Sequence, residues 1–286
     1  MFRILYAWPL LLLTACVGAD DARLMLDPVG SLSSALQESS GLVALKSGFI
    51  SHNDSGHDAE LFILDERGDT LHRVPVAAHN RDWEDIARHD NTLYIADTGN
   101  NGGKRRDLRV LALKLKPDNT PPEEPHVLPV RYREQHNFTP PPHQHNFDAE
   151  ALTQVNGELW LLTKRWLDQQ SAIYRLPPDG DSSPLTQWQR LNTQMLVTGA
   201  DFDAGTQTLL LVGYSRSLFN RQAFVWLYPV QNNRVTEQAG RRFRLNETGQ
   251  FEAITLGADG HLYFTREGSA PRLFRSRQPL TTLISG

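Results

Sequence analysis

The chain has 286 residues, with 29 basic and 33 acidic side chains and a formal net charge of −4. That mildly acidic balance argues against a general nucleic-acid binder, which needs a basic surface to neutralise phosphates. A single cysteine excludes an internal disulfide, and about 270 residues beyond a leader would serve one or two domains.

Residues 1–15 read as a bacterial lipoprotein signal peptide. Arg3 supplies the positive end, Leu5 to Leu13 a short apolar stretch, and Leu13-Thr14-Ala15-Cys16 a lipobox in which Cys16 takes the lipid. The alternative is an ordinary signal peptide with an incidental cysteine. Residues 16–21 are then a lipidated anchor and short linker. The apolar run is too short to span a bilayer, and no later stretch is long and apolar enough to do so. Acyl chains hold a globular body at a membrane without a span. Val17 rather than Asp after Cys16 favours the outer membrane over the inner one. Removing residues 1–15 takes away Arg3 and no acid, which moves the formal charge from −4 to −5.

The remainder repeats one pattern five times. The first unit opens on Glu38-Ser39-Ser40-Gly41-Leu42, turns at Leu45-Lys46-Ser47-Gly48, and continues in strands at 48–52, 60–64 and 70–75. The second opens on Asp82-Trp83-Glu84-Asp85-Ile86, turns at His89-Asp90-Asn91-Thr92, and supplies strands at 92–96, 108–113 and 126–132. The third opens on Asp148-Ala149-Glu150-Ala151-Leu152, turns at Val155-Asn156-Gly157-Glu158, and adds 158–163, 172–176 and 185–191. The fourth opens on Thr198-Gly199-Ala200-Asp201-Phe202, turns at Asp203-Ala204-Gly205-Thr206, and adds 208–213, 224–230 and 234–245. The fifth opens on Gln250-Phe251-Glu252-Ala253-Ile254, turns at Gly257-Ala258-Asp259-Gly260, and adds only 261–265 and 272–275.

Gly, Asn and Asp recur at the turns because tight hairpins need positive φ. The second strands are apolar and rich in β-branched, Leu or aromatic residues, as in strands covered on both faces. A strand repeat of roughly fifty residues, whose units cannot bury their faces alone, predicts an all-β fold, a β-propeller. Five blades are favoured, with six as the alternative. The strand missing from the fifth unit is expected at 22–28, with 280–284 as the competing C-terminal candidate; either closure removes two open sheet edges. Proline-rich sequence at 117–145 suits an extended excursion, so residues 22–286 read as one propeller domain.

In such a blade the start of the first strand and the end of the second lie on the same face of the disc. Strand starts therefore bring Glu38, Asp82, Glu84, Asp148, Glu150, Asp201 and Glu252 to one mouth of the channel, with Ser40 and Ala200 read as standing where other blades carry Glu. Second-strand ends bring Asp54, Asp97, Lys164, Arg165, Tyr214, Arg216 and Arg266, the candidate ligand-binding residues. Carboxylates crowded at one mouth repel unless something neutralises them. Calcium, which takes six to eight oxygen ligands, would do so and makes Glu84, Glu150 and Glu252 the candidate metal set. Lys164, Arg165, Arg216 and Arg266 would do so without a metal through charge-assisted hydrogen bonds, and backbone amides are a third answer. His143-Gln144-His145 has zinc-ligand chemistry, but nothing in the sequence sets a third ligand. Ser55 and Ser215 sit in no Gly-x-Ser-x-Gly elbow, which argues against a serine-hydrolase triad. Trp83 and Trp166, near strand ends, are read either as blade-to-blade packing or as walls of the mouth.

The first and second openings, together with His52-Asn53-Asp54-Ser55-Gly56, Thr163-Lys164-Arg165-Trp166 and Thr198-Gly199-Ala200-Asp201, resemble a group of exported bacterial β-propeller lipoproteins over residues 36–275. More distantly, the Glu-Ala/Gly-Ile/Leu strand starts look like the SdiA-regulated and phytase-like (esterase-like) propellers. That resemblance implies a calcium-compatible acidic mouth. It carries over no catalytic residue, because the dense acidic loops of a true calcium phytase are missing from this sequence.

The expected function is that of a monomeric, outer-membrane-anchored lipoprotein binding a ligand or envelope partner at a polar, calcium-compatible mouth. The alternative is a metal-dependent hydrolase of a phosphoester, lactone or ester. In it, calcium on Glu84, Glu150 and Glu252 polarises the substrate while Asp54, Asp97 and Lys164 position it. A third reading is purely structural, since propellers host enzymes and binders alike.

Overall fold

The computed structural model describes residues 22–116, 124–177, 184–217 and 221–285. The expected signal peptide and Cys16 lie outside the described residues, as do residues 117–123 of the proline-rich insertion.

Short apolar strands joined by tight turns fold back into antiparallel meanders, giving five sheets. The first blade comprises Ser39–Ala44, Phe49–Asn53, Glu60–Leu64 and Thr70–Pro75; the second Trp83–His89, Thr92–Asp97, Arg109–Lys114 and His126–Pro129; the third Ala149–Val155, Glu158–Thr163, Ser171–Leu176 and Gln187–Leu191. The fourth contains Leu196–Asp203, Thr208–Tyr214, Gln222–Gln231 and Arg241–Thr248, and the fifth Phe251–Leu256, His261–Arg266, Arg272–Pro279 and Leu26–Ser31. The first strand of each blade touches that of the next, and the fifth touches the first, so the ring is a five-bladed propeller. At the turn of the third blade Asn156 and Gly157 both take positive φ, 48° and 93°, the backbone a two-residue hairpin needs. Five apolar clusters fill the ring, one at each blade interface.

Closure comes from the N-terminal side, but the segment expected as one strand is divided between two blades. Ala22–Leu24 runs parallel to Arg241–Thr248 on the rim of the fourth blade, and Leu26–Ser31 is the outer strand of the fifth. Leu24 and Leu26 are both buried in the apolar seam between those blades. Asn246 fixes the crossing by accepting a hydrogen bond from the Leu26 N–H at 2.7 Å. Residues 280–284 form no strand. They lie in a short helix, Leu280–Ser285, which turns Leu280 and Leu283 into the same seam.

Every inner strand breaks register at one corresponding place. Pairing with the second strand skips between Ser39 and Gly41, Trp83 and Ile86, Ala149 and Ala151, Val197 and Gly199, and Phe251 and Ala253. Such a bulge bends the strand and re-aims the extra side chain. The residues passed over are Ser40, Glu84 with Asp85, Glu150, Thr198 and Glu252. Thr198, not Ala200, thus corresponds to the glutamates in the fourth blade. Asp201 falls three residues further along its strand, lining the opposite end of the channel. Gly199 suits its place because a Cβ there would come within 2.6 Å of the Glu252 carbonyl oxygen.

An inner strand has a partner on one side only, so its other edge turns unpaired backbone groups to the channel. Two aspartates satisfy them. Asp85 accepts hydrogen bonds from the N–H groups of Ile86 at 2.8 Å, Leu152 at 2.9 Å and Ala200 at 3.0 Å, joining the second, third and fourth blades. Asp201 accepts from Phe202 N at 2.7 Å, Leu256 N at 2.8 Å and Thr255 Oγ1 at 3.0 Å. Thr255 Oγ1 in turn accepts from Ala44 N at 3.2 Å, which brings in the first blade. Burial pushes the Asp85 carboxyl above the usual range, against the pull of its three N–H donors.

Asp85→Ala would leave three buried N–H groups without acceptors, each costing about 1–3 kcal/mol. Urea unfolding is expected to show a loss of about 3 kcal/mol or more. A loss below about 1 kcal/mol would show that these edges are satisfied in some other way.

Candidate functional site

The bulges aim Glu84 and Glu150 into one mouth of the channel, where Asp54 arrives from the loop after Phe49–Asn53. Asp82 and Asp148 arrive from the residues preceding their inner strands. Single carboxylate oxygens of Asp54, Asp82 and Glu84 lie within 4.8 Å of one another, and the same holds for Glu84, Asp148 and Glu150. Glu84, only 4% exposed, belongs to both groups. Gly99 permits this crowding: a Cβ there would strike Glu84 Oε1 and come within 2.6 Å of Asp82 Oδ2. Asp148 is held in place by Asn100 N, which donates to it at 2.5 Å, and by Trp166 Nε1 at 2.7 Å.

Lys164 is buried beside these acids. Its Nζ donates to Glu150 Oε2 at 2.5 Å and to the Tyr214 hydroxyl at 3.0 Å, and it lies 5.0 Å from the centroid of the Trp166 ring. Burial works against its charge, but Glu150, Tyr214 and Glu252 together hold its pKa well above the ordinary lysine value. Glu252 accepts from Gln250 Nε2 at 3.2 Å and falls outside both three-carboxylate groups. The expected set of Glu84, Glu150 and Glu252 is therefore not assembled around one point; Asp54, Asp82 and Asp148 stand closer to Glu84.

The ligand-binding candidates separate in the same way. Asp97 is fully buried, receiving Arg105 Nη2 and Arg109 Nε at 2.8 Å each, and Asp82 N at 3.2 Å. It braces the wall of the mouth. Arg165 is engaged by Asp168 at 2.9 Å, and Arg266 reaches Glu247 at 3.3 Å. Arg216 donates to the Trp166 carbonyl at 2.6 Å and, with Tyr214, Trp166, His143 and Arg221, lines a cavity of about 390 Å³ beside Lys164. His143 packs on Trp166 with ring centroids 4.1 Å apart. His145 uses its ring nitrogens on Asn101 O and Phe147 N, so the histidine pair forms no metal group among the described residues. Arg105, Arg109 and Arg221 escaped sequence reasoning because each reaches its place from a loop or third strand outside the repeated openings.

No protein-family model matches this chain, nor does any curated protein sequence. Among solved structures, the ring is similar to a glucose dehydrogenase, at a TM-score of 0.55 and 11% identity, covering 87% of this chain and 98% of that one. It is similar also to the soluble aldose sugar dehydrogenase of Escherichia coli in its apo-form, at a TM-score of 0.52 and 12% identity, covering 89% of this chain and 99% of that one. A third is the calcium structure of the Trichoderma reesei carbohydrate-active enzyme of family AA12, with a TM-score of 0.50 and 11% identity, covering 87% and 94%. At such identities the likeness shows a shared propeller fold. One expectation is corrected: a calcium-dependent hydrolase is set aside, since the similar propellers include sugar dehydrogenases, which are oxidoreductases, and its three glutamates do not meet.

Electrostatics in the mouth favour protonated carboxyls. Burial, then Glu150 and the neighbouring aspartates, push Glu84 well above its usual range. Burial and Asp82 push Asp54 up to about 7, and burial and Glu252 push Glu267 up to about 8. Each binds its proton more tightly folded than unfolded, so its contribution to stability falls as pH rises through the folded value. His52, whose pKa burial lowers to about 4, acts in the opposite direction, but only below its unfolded value of 6.5. In the absence of divalent cations the melting temperature should therefore fall between pH 6.5 and 9, and Asp54→Asn should flatten part of that slope. A flat or rising profile over this interval would contradict the assignment.

Proposed function

We propose that this protein is an envelope lipoprotein, anchored through Cys16 at the outer membrane, that binds a divalent cation in its carboxylate mouth and seats a small ligand beside it. Glu84 carries the reading. It is shared by two three-carboxylate groups and receives no hydrogen bond from the described residues. Without a cation, burial and the neighbouring acids keep a proton on Glu84; a divalent cation would take that proton's place, and an all-oxygen donor set suits calcium. Lys164 neutralises Glu150, which leaves Asp54, Asp82 and Glu84 as the principal ligands, with Asp148 in reach of Glu84.

The ligand seat is the cavity of Trp166, Tyr214, Arg216 and Arg221. Its aromatic wall and two guanidinium groups suit a small polar molecule with a flat apolar face. Two of the similar propellers are described as sugar dehydrogenases, which makes a carbohydrate the class to try first. Sugar oxidation is no part of the proposal, because that likeness concerns the fold. Resemblance to exported propeller lipoproteins supports the envelope placement, and a monomer is expected.

The test is a calcium titration of the chelator-treated full chain, followed by thermal unfolding and elemental analysis. A ligand at a hundred times its Kd adds about 2.7 kcal/mol of stability, which for a chain of this size is a rise of roughly 5–10 °C. Glu84→Gln should abolish the rise while the ring stays folded. No shift and no bound metal would reject the proposal in favour of neutralisation by Lys164 alone.

A further inference from the structure

A second polar cavity, of about 450 Å³, shares no lining residue with the carboxylate groups and is lined by four arginines and no acid. Arg105 and Arg106 reach it from the loop leading into Arg109–Lys114. Arg131 and Arg133 come from the segment following His126–Pro129, where Tyr132 bridges to Leu185 of the third blade. Leu108, Val130 and Phe138 give it apolar walls.

In a chain whose acids outnumber its bases, Arg106, Arg131 and Arg133 have no carboxylate within ion-pair distance among the described residues. Nearby acids are taken by other partners. Asp107 pairs with Arg81 and Arg105, and Glu134 accepts from Tyr174 and Gln187. Three of the four guanidinium groups are also held in place. Arg106 lies 3.7 Å above the centroid of the Phe138 ring, Arg133 Nε donates to Thr186 Oγ1 at 2.9 Å, and Arg105 is tied to Gly99 O at 2.8 Å and to Asp97. Tyr132, which lines the same cavity, carries a buried hydroxyl with no hydrogen-bond partner among the described residues.

We propose that this cavity is a binding site for the phosphate monoester group of a small organic molecule. A phosphate monoester carries nearly two negative charges at neutral pH and three acceptor oxygens. Guanidinium forks arriving from separate segments match that dianion, whereas a carboxylate offers one charge on two oxygens. The apolar walls take the body of the ester, and the volume lies in the range of small-molecule pockets. The site shares no residue with the carboxylate groups of the mouth and does not use the cation proposed there.

Phenyl phosphate is the probe, titrated into the full chain by calorimetry, with benzoate as the singly charged control. Saturable binding of phenyl phosphate is expected, with benzoate at least about tenfold weaker. Arg106→Gln and Arg131→Gln should each weaken binding about tenfold. Both side chains are exposed, so an unchanged melting temperature will show that the fold is intact. Arg272→Gln, on an exposed position of the fifth blade, should leave binding unchanged, as should chelation of divalent cations. Absence of saturable binding, an affinity in either arginine variant unchanged from that of the parent protein, or benzoate binding as tightly as phenyl phosphate would each overturn the proposal.

Discussion

The ring depends on how its inner strand edges are satisfied. Five strands stand around an axis with one side unpaired, a water-starved position for backbone N–H groups that cannot bond across to each other as a closed barrel would. Asp85 and Asp201 answer this with carboxylates that collect hydrogen bonds from strands of different blades. The apolar seams between blades supply most of the burial. The two aspartates tie the inner strands of neighbouring blades to one another, and Asp85 does so directly beside Glu84 at the mouth.

From that arrangement the site follows. A bulge at one corresponding place in every inner strand turns a side chain to the mouth, and three of the five are glutamates. Glu84 and Glu150 are drawn together with Asp82 and Asp148 because their blades are adjacent, while Glu252 stands on a blade whose own Gln250 engages it. The ring is therefore chemically one-sided: acids converge between the first and third blades, and Lys164 with its aromatic neighbours faces the fourth. The same backbone plan used five times yields one pocket because the residues at the bulges differ.

The blade count was legible in the sequence because turns rich in Gly, Asn and Asp recur at fixed offsets from apolar strands. Glu84 and Glu150 were legible as mouth residues because Asp-x-Glu precedes a strand in both places. Bulges were not, since an extra residue leaves no mark on a linear pattern; the fourth blade was consequently read two residues out, with Ala200 in the place of Thr198. Asp97 resembled a ligand until Arg105 and Arg109, eight and twelve residues further on, were seen to fold back onto it. Asp85 looked like one more acid in an acidic run, although its partners are 67 and 115 residues away. Long-range partners of this kind have no local signature.

The split N-terminal segment bears on assembly. Leu24 and Leu26 complete two blades whose other strands lie at residues 196–279, and the Leu26–Asn246 contact spans 220 positions. Closure therefore waits until residues 196–279 have been made, and contacts of such high order slow folding. Until then the apolar flanks of the fourth and fifth blades stand open to other chains. Once latched, the seam shares any load applied at the leading end of the protein between two sheets, so tension there must shear two sets of strand pairings at once.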